Sequence, residues 1–142
     1  MQKDTAFQMS AANIRYGQGT TAEVGMDLKE MGVHRTLVVI DPRLRSLPPG
    51  DVVINSLRHN NVAFEVFDEV EVEPTDSSFR EAAILAKRDQ FDAFVAVGGG
   101  STIDTAKAAN LYSTHAADFF DFVNAPVGKG LPVPGPLKPL IA

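Results

Sequence analysis

The chain has 142 residues, 44% of them hydrophobic and 22% charged, and carries a net charge of −5 at pH 7. That length suits about one domain with a real core, and the composition is unlike a disordered tail or a coiled coil. The acidic balance argues against binding to nucleic acid or anionic lipid by bulk charge, no apolar run approaches the roughly 20 residues of a bilayer span, and the lack of cysteine removes disulfide, thiolate and iron–sulfur chemistry.

Met1–Ser10 has neither the apolar stretch of a signal peptide nor the Arg-rich face of an organelle presequence. The expected compartment is therefore the bacterial cytoplasm, with the mitochondrial matrix as the alternative. Asn13–Gly17 alternates polar and apolar residues and predicts a short strand. Thr20 and Glu23 have the spacing of a capping box; Val24, Leu28 and Met31 then follow a helical period that Gly32 stops. Thr36–Ile40, a β-branched run closed by Asp41-Pro42, predicts a buried parallel strand. A loop with Pro48, Pro49 and Gly50 precedes a short helix whose Val53, Ile54 and Leu57 face the core. Ala63–Phe67 is the next strand, followed by a turn at Glu73-Pro74-Thr75-Asp76 and a second capping-box pattern at Ser78 and Glu81. Phe79, Ala82, Ala83 and Ala86 then give a helix packed on a sheet. Ala93–Val97 is a third buried strand, and a helix over about 102–112 follows.

Alternating strands and helices mean a parallel sheet with right-handed crossovers, an α/β fold of the Rossmann-like kind. Residues 126–139 are rich in proline and glycine and predict a connector, which leads into Leu140-Ile141-Ala142, the start of another strand. The expected organisation is one nucleotide-binding domain over residues 1–142, cut short at its C-terminal end.

Chemistry concentrates at strand–Gly98-Gly99-Gly100-Ser101–helix. Glycines let a bulky anion approach the backbone without a Cβ in the way. The N–H groups of the following helix start have no partner within the helix and point toward that anion, and Ser101 adds a hydroxyl donor. The helix dipole contributes only about 0.3–1 kcal/mol at an exposed end, so backbone hydrogen bonds supply most of the affinity for a phosphate or pyrophosphate. The spacing fits neither a Gly-x-Gly-x-x-Gly fingerprint nor a Walker loop. A tight strand-to-helix turn without a ligand is the competing reading.

Asp41 closes the first long strand at the carboxyl edge, where open α/β sheets bind ligands. It either accepts hydrogen bonds from a ribose and repels a 2′-phosphate, or caps the turn before Pro42. Asp104 either completes a capping box with Ser101 or serves an uncharged or cationic part of the ligand, such as nicotinamide. Lys107 neutralises a phosphate or is a solvated helix lysine. His34, His59 and His115 lack the spacing of a metal site, and no nucleophile–base pair is evident. Phe119, Phe120 and Phe122 read as core or an interdomain contact, with Asp118 and Asp121 solvated beside them.

The run from Phe91 to Leu111, with Val-Gly-Gly-Gly-Ser-Thr-Ile-Asp-Thr-Ala-Lys at its centre, closely resembles the cofactor-loop signature of iron-containing (group III) alcohol dehydrogenases. Asn13–Gly17, Val24–Leu28, Val72–Phe79, Ala125–Gly130 and Pro136–Ala142 are most similar to the hydroxyacid–oxoacid transhydrogenase branch of that family. The resemblance implies an N-terminal dinucleotide-binding domain followed by a helical domain that holds a divalent metal, usually iron, through one Asp and three His. It implies NAD as cofactor, with Gly98, Gly99, Gly100 and Ser101 cradling the pyrophosphate, Asp41 facing the adenosine ribose and Asp104 toward nicotinamide. No metal ligand and no catalytic residue is carried over onto this chain.

The implied partners are small-molecule hydroxy acid or alcohol and oxo acid or aldehyde substrates, with a homo-oligomer as an option. The implied reaction takes hydride from 4-hydroxybutyrate to 2-oxoglutarate. An NAD-dependent dehydrogenase of small primary alcohols and a non-catalytic nucleotide-binding module are the alternatives. The family often has Asn where this chain has Glu73, which leaves no adenine contact to carry over from that position.

Overall fold

The computed structural model describes residues 12–142. Met1–Ser10 lie outside them. A 3-10 turn at Thr20–Glu23 runs into helix α1 (Val24–Glu30), followed by strand β1 (Arg35–Ile40), helix α2 (Pro48–His59), strand β2 (Ala63–Phe67), helix α3 (Asp76–Arg88), strand β3 (Ala93–Val97), helix α4 (Gly100–Thr114) and strand β4 (Leu140–Ile141). The strands form one parallel sheet in the order β2-β1-β3-β4. The α/β expectation holds, and Leu140-Ile141 does enter the sheet, beside β3.

Side chains of a strand alternate between faces, and here both faces are apolar. Val38, Ile40, Val95 and Val97 pack with Val24, Leu28, Val53 and Leu57 of α1 and α2. Leu37, Val39, Phe94 and Ala96 pack with Ala82 and Ala86 of α3 and Ala106 and Ala109 of α4. Burial on both sides is why β1 and β3 read as continuous apolar runs. Alanines on α3 and α4 let those helices lie close to the sheet and to each other.

Several local expectations need correction. Asn13–Gly17 is not a strand: no pairing partner reaches it among the described residues, and Ile14 and Tyr16 are exposed. An alternating pattern without a neighbour gives the backbone no ladder. Instead, Arg15 reaches Glu23 and Asp27 at 2.7 Å each. Glu23 thus holds Arg15, no side chain caps the turn at Thr20, and the Thr20 hydroxyl donates to the Gly17 carbonyl. Met31 falls at the end of α1 and is exposed.

Pro48 and Pro49 are not loop residues but the first positions of α2, where a missing N–H costs nothing. The cap of α3 is Thr75 rather than Ser78: its hydroxyl accepts from the Ser78 amide at 3.2 Å. Glu73, just before it, has φ 56°. That left-handed conformation is one Asn tolerates better than Glu.

Between the short 3-10 turn Phe119–Asp121 and β4 the chain forms no helix or strand. Asp121 is not simply solvated. It shares a capping box with Asp118 and pairs with Lys129 at 2.7 Å, which holds its carboxyl below the usual carboxylate range. Phe119 stacks on Tyr112 with ring centroids 4.9 Å apart. The connector's last turn is fastened by Asn110 of α4. Its amide donates to the Lys138 carbonyl at 2.8 Å, and its side-chain oxygen accepts from the Lys138 amide at 3.2 Å. Asn110 is 2% exposed and Lys138 half-buried, so truncating the side chain removes both bonds where solvent replaces them only in part. Asn110→Ala is expected to cost about 2 kcal/mol, read as a lowered urea midpoint at unchanged slope.

Candidate functional site

The chain steps from β1 outward to β2, then returns across β1 to β3 and on to β4. Its direction of travel reverses between β1 and β3. The crevice beyond their carboxyl ends is therefore the topological switch point at which open α/β sheets bind ligands. Asp41 and Gly98 stand on its two sides. The backbones are joined there, Asp41 donating its amide to the Val97 carbonyl at 3.0 Å. Strand order is not readable from the sequence, so this juxtaposition comes from the structure.

Each glycine of the turn meets different surroundings. None of the three has a positive φ, so the turn does not depend on a left-handed glycine. At Gly98 a Cβ would lie 2.3 Å from the Thr102 hydroxyl and 2.8 Å from its Cβ. The requirement there is internal packing of α4 onto β3. At Gly99 and Gly100 a Cβ would meet nothing within 4 Å. Neither the backbone nor its neighbours demand glycine at these two positions, and a side chain at either would stand in open space at the exposed turn.

Gly99 is the N-cap of α4 without a side-chain cap, and the first intrahelical bond runs from the Ile103 amide to the Gly99 carbonyl at 3.1 Å. The amides of Gly100, Ser101 and Thr102 come before it, the group that an anion at a helix start would use. The helix begins at Gly100, two residues earlier than expected, because a bare glycine can serve as cap. Ser101 is half-buried, and its hydroxyl makes no hydrogen bond among the described residues; its carbonyl accepts from Thr105.

Asp104 forms no capping box. It is exposed and lies 3.9 Å from Lys107, also exposed. A pair so placed on a helix surface contributes a few tenths of a kcal/mol, and no contact joins it to the crevice.

Asp41 caps the turn at Pro42, the second of its two readings, and this leaves its ribose-binding reading open. Its Oδ1 accepts from the Arg43 amide at 2.9 Å, and its carbonyl accepts from Leu44 at 2.8 Å. It also binds the Arg43 guanidinium through both oxygens. The Arg43 side-chain and backbone donors hold the Asp41 carboxyl below the usual carboxylate range, so it stays charged at neutral pH. Arg43 is the site residue that sequence reasoning missed. Its signal is the Asp-Pro-Arg spacing, in which the turn at Pro42 folds residue 43 back over residue 41.

The histidines lie away from the carboxyl ends of β1 and β3, and among the described residues the His115 ring hydrogen-bonds the Gly135 carbonyl at 3.2 Å. Among the described residues no three His, Asp or Glu side chains are placed to hold a metal ion. No described helix is long and apolar enough to cross a membrane.

Comparison with known proteins gives this geometry its context. The chain is 57% identical over 140 residues to the mitochondrial hydroxyacid–oxoacid transhydrogenase of Mus musculus and 59% identical to that of Bos taurus, in each case over 98% of this chain. It spans about 30% of the length of those relatives. Among solved structures, the 1,3-propanediol oxidoreductase matches with a TM-score of 0.77 at 29% identity, over 87% of this chain and 31% of that one. The NADH-dependent butanol dehydrogenase A of Thermotoga maritima matches with a TM-score of 0.77 at 25% identity, over 87% of this chain and 30% of that one. The profile for "Iron-containing alcohol dehydrogenase" covers residues 11–142, and the chain belongs to that family.

Proposed function

We propose that residues 1–142 form the dinucleotide-binding domain of a hydroxyacid–oxoacid transhydrogenase, with NAD held at the crevice between β1 and β3. The observation that carries this reading is the room beside Gly99 and Gly100, glycines that the fold itself does not require, at a helix start whose first three amides have no partner among the described residues. Gly98, Gly99, Gly100 and Ser101 cradle the pyrophosphate, and Asp41 faces the adenosine ribose. Asp104 lies toward nicotinamide only if the ligand extends along the exposed face of α4. The cofactor, when bound, accepts a hydride from one substrate and gives it to another.

The chain's own residues bind and orient. Backbone amides take the phosphate charge, and the carboxylate of Asp41 takes ribose hydroxyls. The iron of the family description finds no set of ligands among the described residues; in this reading its ligands lie outside them, and polarising the substrate is not a task of these residues. The mitochondrial names of the relatives support a mitochondrial location rather than the bacterial cytoplasm.

The identity to transhydrogenases favours 4-hydroxybutyrate and 2-oxoglutarate as the substrate pair. Hydride leaves C4 and a proton leaves the C4 hydroxyl to give succinic semialdehyde; hydride arrives at C2 of 2-oxoglutarate and a proton at the oxygen on that carbon to give 2-hydroxyglutarate. A plain alcohol dehydrogenase is the second reading, supported by the likeness to 1,3-propanediol oxidoreductase. The test is to feed the full-length protein 4-hydroxybutyrate and 2-oxoglutarate without free NAD and assay 2-hydroxyglutarate. Formation of both products supports the transhydrogenase; oxidation of primary alcohols only with added NAD supports the dehydrogenase.

A further inference from the structure

Arg43 closes on Asp41 as a fork. Its Nε donates to Oδ1 at 3.0 Å and its Nη2 to Oδ2 at 2.6 Å, while its amide also donates to Oδ1. Two donors fill the lone pairs of Oδ1, and Oδ2 keeps one for a ribose hydroxyl. The Arg43 side chain is 75% exposed against 14% for Asp41. Nη1 makes no hydrogen bond among the described residues. A second arginine, Arg45, stands close in sequence but is paired with Asp68.

A lone carboxylate at this edge would take ribose hydroxyls and repel a phosphate on the neighbouring oxygen. Here the carboxylate is charge-compensated by a guanidinium with donors to spare. Arginine near the ribose is the residue type that accommodates a 2′-phosphate in dinucleotide folds, and its planar fork holds a phosphate while still touching a carboxylate. We propose that Arg43 is a specificity-determining residue of the cofactor site, offsetting the charge of Asp41 and offering its remaining N–H groups to a 2′-phosphate, so that NADP(H) is accepted beside NAD(H). This rests on the reading that the adenosine ribose lies at Asp41, and it revises the expectation that Asp41 simply favours NAD.

The experiment is calorimetric titration of the full-length protein, first stripped of any resident nucleotide, with NADH, NADPH, ADP-ribose and 2′-phospho-ADP-ribose, for the unsubstituted chain, Arg43→Gln and Arg43→Lys. NADPH is expected to bind the unsubstituted protein within about tenfold of NADH, and Arg43→Gln to weaken NADPH about tenfold while moving NADH less than about threefold. Arg43→Lys, which keeps the charge but not the fork, is expected to fall between. An unchanged NADPH-to-NADH ratio in Arg43→Gln, or equal weakening of both, overturns the role of Arg43 while leaving the cofactor site standing. If the unsubstituted protein binds neither NADH nor ADP-ribose, the cofactor-site reading falls and this inference with it.

Discussion

Gly99→Val is expected to leave the chain folded and to weaken NADH binding about 100-fold or more, equivalent to roughly 3 kcal/mol. Gly99 has φ −89° and ψ −164°, a conformation open to any residue, and its Cβ would meet nothing within 4 Å. The only loss on the protein's side is a poorer helix cap, about 1 kcal/mol, or a few degrees in the melting temperature. A valine there would fill the space a pyrophosphate needs and hold it away from the amides of Gly100, Ser101 and Thr102. Thermal melts and NADH titrations on the same preparation separate the two effects. A Gly99→Val protein that binds NADH normally would mean that the turn is a structural connection and the ligand sits elsewhere.

The opposite pattern is expected at Gly25. There a Cβ would lie 2.3 Å from the Ser56 carbonyl oxygen and 2.6 Å from its carbon, backbone atoms of α2 that cannot turn aside as a side chain would. The contact is tight because α1 and α2 are joined through it: the Gly25 amide donates to Ser56 Oγ at 2.9 Å, and that hydroxyl donates to the Ala22 carbonyl at 2.6 Å. Glycine to alanine in a helix ordinarily stabilises by about 0.5–1 kcal/mol. Here overpacking reverses the sign, and Gly25→Ala is expected to lose about 3 kcal/mol. Urea denaturation measures it. A loss under about 1 kcal/mol would show that the two helices separate without penalty.

How legible all this was depends on what each feature rests on. The strands Ala63–Phe67 and Ala93–Val97 appear at the residues expected, because turn residues bound them sharply. Helix starts were less legible. Ser78 and Glu81 carry a valid capping spacing, yet Thr75 holds the cap; several hydroxyls near a helix start compete, and the approach of the chain from Glu73 decides. Asn13–Gly17 had the pattern of a strand and, among the described residues, no partner to pair with. At the site, the glycine turn was visible because its chemistry is local. The distinction among its glycines was not, since Gly98 answers to Thr102 in space while Gly99 and Gly100 answer to nothing in the fold. Arg43 escaped notice because a charged residue after a proline has no periodic signature; only the folded turn brings its guanidinium to Asp41.

The Asn110 clamp gives α4 a second task. The helix is a rod that starts at the glycine turn and, ten residues on, grips the backbone of Lys138 just ahead of β4. At 1.5 Å per residue, about 15 Å of stiff helix separates the two ends. One stiff element therefore forms the turn beyond β3 at its start and fastens the backbone leading into β4 further along, so a single helix sets the placement of β4 and of the crevice's glycine wall.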